Sequence, residues 1–136
     1  MVDLNFMLPK AERLKERYLF NLAFNLGKSK RQKLNSSLLS LYYLFRKKDI
    51  SRFPKVISPV KTAFVVGLRI DKKAVKRNLV KRRMRASYRL VMKNIANLNK
   101  LSVLVWIANP PIKDATFEQI KNSMDNLLNK VVRFEK

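Results

Sequence analysis

The sequence predicts an α+β fold, a two-layer α/β sandwich with elements in the order α-β-β-(β)-α-β-α. Three observations predict it. Residues Lys72–Lys93 carry apolar residues at helical spacing and contain no Pro or Gly. Ser37–Phe45 alternates, setting Leu39, Leu41, Tyr43 and Phe45 on one side and Ser40, Tyr42 and Leu44 on the other. Leu101–Ala108 is a nearly continuous apolar run, as expected of a strand buried on both faces. A strand, helix, strand series implies a crossover, so part of the sheet is expected to be parallel.

The elements follow in order. Residues 1–8 are mixed and read as a loose N-terminal extension, with Met7 an alternative start to Met1; residues 9–136 read as a single domain. Pro9 suits the first position of a helix, Lys10–Leu26, for which Gly27 is the expected C-terminal cap. Lys28–Lys33 reads as a basic polar connection to the first strand, Ser37–Phe45. Arg46–Ser58 is loop-like, with Pro54 and Pro59 limiting regular structure. Lys61–Ile70 is the next strand, and a short one near Val56–Val60 is the optional member of the series. Ala74–Ile95 is a helix and Asn97–Lys100 a turn. Asn109-Pro110-Pro111 ends the apolar strand. Thr116 is a suitable N-cap for the closing helix, Phe117–Val132.

Composition narrows the function. The 136 residues carry a formal net charge of +22. Folding that much like charge costs self-repulsion, which a polyanion relieves, and nucleic acid is the commonest polyanion. There is no Cys and no His, which excludes disulfides, thiolate metal sites and imidazole chemistry. The nine carboxylates are scattered, so no acid/base pair or two-metal site stands out. No apolar stretch reaches the roughly 20 residues that span a bilayer. The N-terminus lacks the features of a signal peptide, so a cytoplasmic location is expected.

Lys72–Lys93 holds ten basic residues and no acidic one. On a helix, Val80, Met84, Tyr88, Val91 and Ile95 form one stripe, the expected core face. Asn78, Arg82, Arg85 and Arg89 fall opposite, with Lys81 and Lys93 at the edges. Arginine forks grip phosphate oxygens bidentately, and Asn both donates and accepts at sugar or base edges. The alternative is a solvated charged face. A membrane surface would require the apolar stripe to be exposed, whereas here it is needed for a core.

Arg13, Arg17, Phe20 and Phe24 share a stripe of the first helix. Cations followed by aromatic rings suit a single strand, with phosphates on the arginines and bases on the rings. The same spacing also suits phenylalanines that only fill the core. Trp106, inside the apolar strand, is expected in the core.

The run Ala74-Val75-Lys76-Arg77-Asn78-Leu79-Val80-Lys81-Arg82-Arg83-Met84-Arg85 resembles the signature of the bacterial ribonuclease P protein component, Ala-Val-x-Arg-Asn-Arg-x-Lys-Arg-x-x-Arg. Val66–Lys73 looks like the strand and Lys-Lys lead-in of that family. Leu8–Leu14 with Phe20 and Phe24, and the closing strand and helix, also fit. The resemblance implies an α/β sandwich with a left-handed βαβ crossover. It implies a non-catalytic protein subunit of a ribonucleoprotein endonuclease that removes the 5′ leader of precursor tRNA. The RNA carries catalysis and holds the Mg2+, and the protein alone binds no cofactor.

By the same resemblance, Lys72, Lys73, Arg77, Asn78, Lys81, Arg82, Arg85 and Arg89 dock the catalytic RNA. Arg13, Arg17, Phe20, Phe24, Tyr42 and Arg69 line a leader cleft, with Tyr43 the register alternative to Tyr42. The implied partners are the ribonuclease P RNA and precursor tRNA, with no DNA or membrane. Three departures stand out. Leu79 replaces the second Arg of the Arg-Asn-Arg box. The Gly-containing turn after the Lys-Lys pair is missing. The region Arg31–Lys61 is longer than the family pattern. The rival readings are a ribosomal or chaperone-type RNA binder without a role in cleavage, and a DNA-binding regulator.

Overall fold

The computed structural model describes residues 12–45, 60–93 and 101–134. Among these residues, three α-helices and four strands follow in order: α1 (Arg17–Ser29), β1 (Lys33–Asn35), β2 (Leu39–Phe45), β3 (Lys61–Val65), α2 (Ala74–Lys93), β4 (Leu101–Ala108) and α3 (Phe117–Phe134). A short 3-10 helix, Pro110–Asp114, joins β4 to α3. The sheet order is β1-β2-β4-β3. β2 runs antiparallel to β1 and β4, while β3 and β4 are parallel and joined through α2. The mixed α+β class and the parallel β3–β4 pair are as the sequence implies.

Strand alternation sorts the core into two clusters, one on each face of the sheet. Leu39, Leu41, Tyr43 and Phe45 of β2, with Leu104 and Trp106 of β4, meet α2 and α3. The expected stripe Val80, Met84, Tyr88 and Val91 is the α2 contribution. α3 adds Ile120, Met124, Leu127, Leu128 and Val131. Each such side chain contributes roughly 1.5–3 kcal/mol when fully buried. Tyr88 sits edge-on between Phe64 and Trp106, with ring centroids 5.5 and 6.1 Å away, and burial pushes its hydroxyl pKa up. The opposite face is smaller. Leu44, Val103 and Val105 pack there against Leu19 and Ala23 of α1.

Several local expectations are corrected. α1 begins at Arg17, not Lys10, because the sheet captures the segment before it. Arg13 bridges in parallel to Thr62, and Leu14 N–H donates to Thr62 O at 3.0 Å. Glu16 and Lys61 then pair at 2.7 Å. Gly27 is not the cap; it lies buried inside α1, and the chain turns instead through Arg31 at φ 56°. The Gln32 N–H returns to the Leu26 carbonyl at 3.2 Å. The expected connection Lys28–Lys33 therefore splits between the last turn of α1 and the start of β1. Ser37 and Leu38 form a turn rather than the start of a strand, and β3 stops at Val65, five residues short of Ile70. The loose extension 1–8, the Arg46–Ser58 loop, the strand near Val56, Ile95 and the Asn97–Lys100 turn lie outside the described residues.

The closing helix starts as expected. Thr116 Oγ1 accepts from Gln119 N–H at 3.2 Å, and Gln119 Oε1 accepts from Thr116 N–H at 2.9 Å. This reciprocal capping box satisfies two donors that a helix start leaves unpaired.

Candidate nucleic-acid interface

α2 is held by its apolar stripe and by a built lead-in. Asp71 Oδ1 accepts the Lys73 N–H at 2.8 Å, an Asx turn, and Asp71 Oδ2 pairs with Lys113 Nζ at 2.9 Å. The Lys113 ammonium, then the Lys73 amide, hold the Asp71 carboxyl down at about 2. Arg77 Nη1 donates to the carbonyls of Asp71 and Lys72 at 3.0 and 2.8 Å. Part of its guanidinium is therefore turned back onto the turn that precedes the helix. These contacts order the lead-in without the family's glycine turn.

Beyond that turn, Lys72, Lys73, Asn78 and Arg82 are exposed, and Lys81, Arg85 and Arg89 are half-buried. Leu79 is 46% exposed beside them, an apolar gap in a cationic face. Lys81 and Arg85 share a cavity of about 180 Å³ with Arg13. Arg13 is thus carried to the basic helix by its bridge to Thr62, and it does not continue a helical stripe toward Phe20. Burial, then Arg13 and Arg82, push the Arg85 pKa down. Cations crowded this way repel one another, and an anionic oxygen among them relieves that cost.

The second surface lies on the α1 side of the sheet. Phe20 and Phe24 stack with centroids 6.5 Å apart, and Phe24 meets Tyr42 edge-on at 4.9 Å. All three are half-buried. They pack against the smaller core cluster and also present ring surface, so filling the core and lining a cleft are both physically open to them. Tyr43 points the other way, into the large cluster at 4% exposure. The register alternative is thereby removed as a matter of geometry. Arg17 begins α1, exposed, one turn before Phe20. Arg69 is exposed in the turn after β3.

Two participants escaped the sequence reading. Lys33 Nζ sits 5.1 Å from the Tyr42 ring centroid, a cation–π contact. Only the β1–β2 register, which pairs Lys33 with Tyr42, could have found it. Gly27 lies directly against the Tyr42 ring. Among the described residues, no group of three or more metal-ligating side chains gathers, and no helix is long and apolar enough to cross a membrane. The arrangement can bind phosphate on α2 and stack bases on α1 and β2.

A family model described as Ribonuclease P matches residues 8–132. The ribonuclease P protein component of Clostridium novyi (strain NT) is 31% identical over 124 residues, covering 89% of this chain and 94% of that protein. The component from Phytoplasma australiense is 36% identical over 75 residues, covering 53% and 63%. The solved RNase P protein of Staphylococcus aureus matches with a TM-score of 0.66 at 24% identity, covering 90% of this chain and 96% of that one. The Thermotoga maritima RNase P protein matches with a TM-score of 0.64 at 24% identity, covering 88% and 96%. At that identity the two structures establish a shared fold.

Proposed function

The chain belongs to the ribonuclease P protein family, and from that premise we propose that it docks the catalytic RNA on α2 and holds the 5′ leader of precursor tRNA along α1. Membership ties the chain to tRNA 5′ processing, to a ribonucleoprotein endoribonuclease and to a ribonuclease P RNA partner. The single observation that carries the finer reading is the division of labour across one sheet. Cations with Asn78 gather on α2, and half-buried rings gather on the opposite face.

Asn78, Lys81, Arg82, Arg85 and Arg89 supply the phosphate contacts for docking, with Lys72 and Lys73 at the helix start. Each phosphate neutralised releases counterions, so docking weakens steeply with salt. Phe20, Phe24 and Tyr42 supply stacking for an unpaired strand, and Arg17 and Arg69 its phosphate contacts. Arg13 belongs with the docking face in this reading, because it shares a cavity with Lys81 and Arg85. Holding two RNAs together is a repulsive task, and the +22 charge offsets that repulsion. In this reading cleavage chemistry rests with the RNA and its Mg2+.

Reconstitution with the ribonuclease P RNA at low magnesium tests this reading. The chain is expected to raise the cleavage rate of precursor tRNA at its mature 5′ end. An RNA binder without a role in cleavage would bind the RNA and leave that rate unchanged.

A further inference from the structure

One cavity among the described residues lies away from both surfaces. It measures about 590 Å³ and opens between the β1–β2 turn and α3. Its chemistry departs from the rest of the molecule. In a chain of net charge +22, it is lined by one cation, Lys130, and one acid, Asp114. Most of the remaining lining is neutral and polar: Asn35, Gln119, Asn122 and Asn126, with three serines.

Some of these groups build the walls. Ser36 Oγ and Ser123 Oγ lie 2.6 Å apart and tie the turn to α3. Asn109 Nδ2 donates to the Ser36 carbonyl at 3.1 Å and fixes the turn from the end of β4. Gln119 is engaged in its capping box. Asn122 and Asn126 have no such duty. They lie one turn apart on α3, and both are exposed. A second cavity, of about 430 Å³, continues along the helix, shares Asn126 and Lys130, and adds Asn129 and Arg133.

A carboxamide donates and accepts at once, which matches the edge of a base and best that of adenine. Two cations at the far end match phosphate. Neutral amides followed by cations repeat the chemistry of a single RNA strand read from base to backbone. We propose that this groove is a second single-stranded RNA track, taking unpaired purines on Asn122 and Asn126 and backbone phosphate on Lys130 and Arg133. Because α3 and the rings of α1 lie on opposite faces of the sheet, the track engages a different stretch of RNA from the aromatic row. It uses none of the docking residues of α2. The family reading supplies only the class of the partner.

The test is a titration of the isotopically labelled chain with a short oligoadenylate and with an abasic oligomer of equal length, followed by NMR. The side-chain amide resonances of Asn122 and Asn126 are expected to shift saturably with the oligoadenylate and not with the abasic strand. The double variant Asn122→Asp/Asn126→Asp keeps the shape and removes the donors. It is expected to weaken that binding about fivefold or more, given the removal of two hydrogen bonds. Docking of the ribonuclease P RNA on α2 is expected to stay unchanged in that variant. Unmoved Asn122 and Asn126 resonances, or equal shifts with the abasic strand, would overturn the proposal. Failure of the docking reading shows separately, as loss of salt-dependent binding to the ribonuclease P RNA.

Discussion

Gly27 and Tyr42 are in contact across the α1–sheet interface. A Cβ built on Gly27 would overlap Tyr42 Cδ2 and lie 2.5 Å from Cε2. The glycine is needed for space and not for backbone freedom, because its φ is ordinary for a helix. Overpacking costs about 1–3 kcal/mol, and Ala in place of a helical Gly returns about 1 kcal/mol. Tyr42 is half-buried and its ring can swing outward, so the net stability change is expected to be small. The proposed leader surface is expected to bear the effect instead. Gly27→Ala is expected to lower affinity for leader-bearing precursor tRNA while moving Tm only slightly. Unchanged leader affinity would mean that the position of Tyr42 is unimportant to it.

Asp71 makes the start of α2 sensitive to acid. Its folded pKa, about 2, lies below the ordinary value of 3.8. A depressed carboxyl contributes stability that is fully present above its unfolded pKa and lost as pH falls through the folded one. The window therefore runs from about pH 4 down to about pH 2. Asp71→Asn is expected to lose less stability than the wild type across that window, as read by acid titration of circular dichroism. Near neutral pH the variant is expected to dock RNA more weakly, since Lys113 loses its ion pair to the lead-in while the amide oxygen can still accept the Lys73 N–H. Parallel acid titrations of the two proteins would contradict this role for Asp71.

Arg82 and Arg85 are assigned to phosphate contact on α2. Replacing both by Ala is expected to flatten the dependence of log K on log salt by about 0.7–0.9 for each phosphate no longer neutralised. The loss of affinity for the ribonuclease P RNA is expected to be largest at low salt and to shrink as salt rises. A salt slope identical to that of the wild type would remove these two residues from the interface.

The helices and strands of the core were legible because burial imposes a period. Leu39 to Phe45 alternates between the two core clusters, Val80 to Val91 repeats at helical spacing, and Val103 to Trp106 is buried on both faces of the central strand. What escaped depends on long-range pairing. β1 is three residues of mixed polarity at a sheet edge and exists through its partners on β2. Arg13 to Glu16 has helical composition, but its bond to Thr62 and the Glu16–Lys61 pair draw it toward the sheet. Gly27 looked like a cap because glycine usually ends helices, and no pattern in the sequence announces a ring packed against it. The cationic face and the aromatic row were readable as residue types. That Arg13 joins the former and Lys33 the latter required the fold.

Leu79 offers a gain-of-function test. It is 46% exposed on α2 where the resembling family signature has Arg. Burial is not at stake, so Leu79→Arg is expected to leave Tm within about 0.5 kcal/mol equivalent of the wild type. One more phosphate contact is expected to tighten docking severalfold at moderate salt and to steepen the salt slope. No change in either would mean that the RNA does not reach this position.

The proposed leader binding by the rings of α1 and the proposed docking by α2 are expected to be separable on the reconstituted enzyme. The decisive measurement compares precursor and mature tRNA affinities for holoenzymes carrying wild-type chain or Phe20→Leu. Leucine keeps apolar volume in the smaller core cluster and removes the ring. Base–aromatic stacking is worth about 1–3 kcal/mol, so affinity for precursor is expected to fall at least about fivefold. Affinity for mature tRNA, which has no leader, is expected to hold. Equal losses for the two, or no loss for either, would contradict the account and leave Phe20 as a core residue alone.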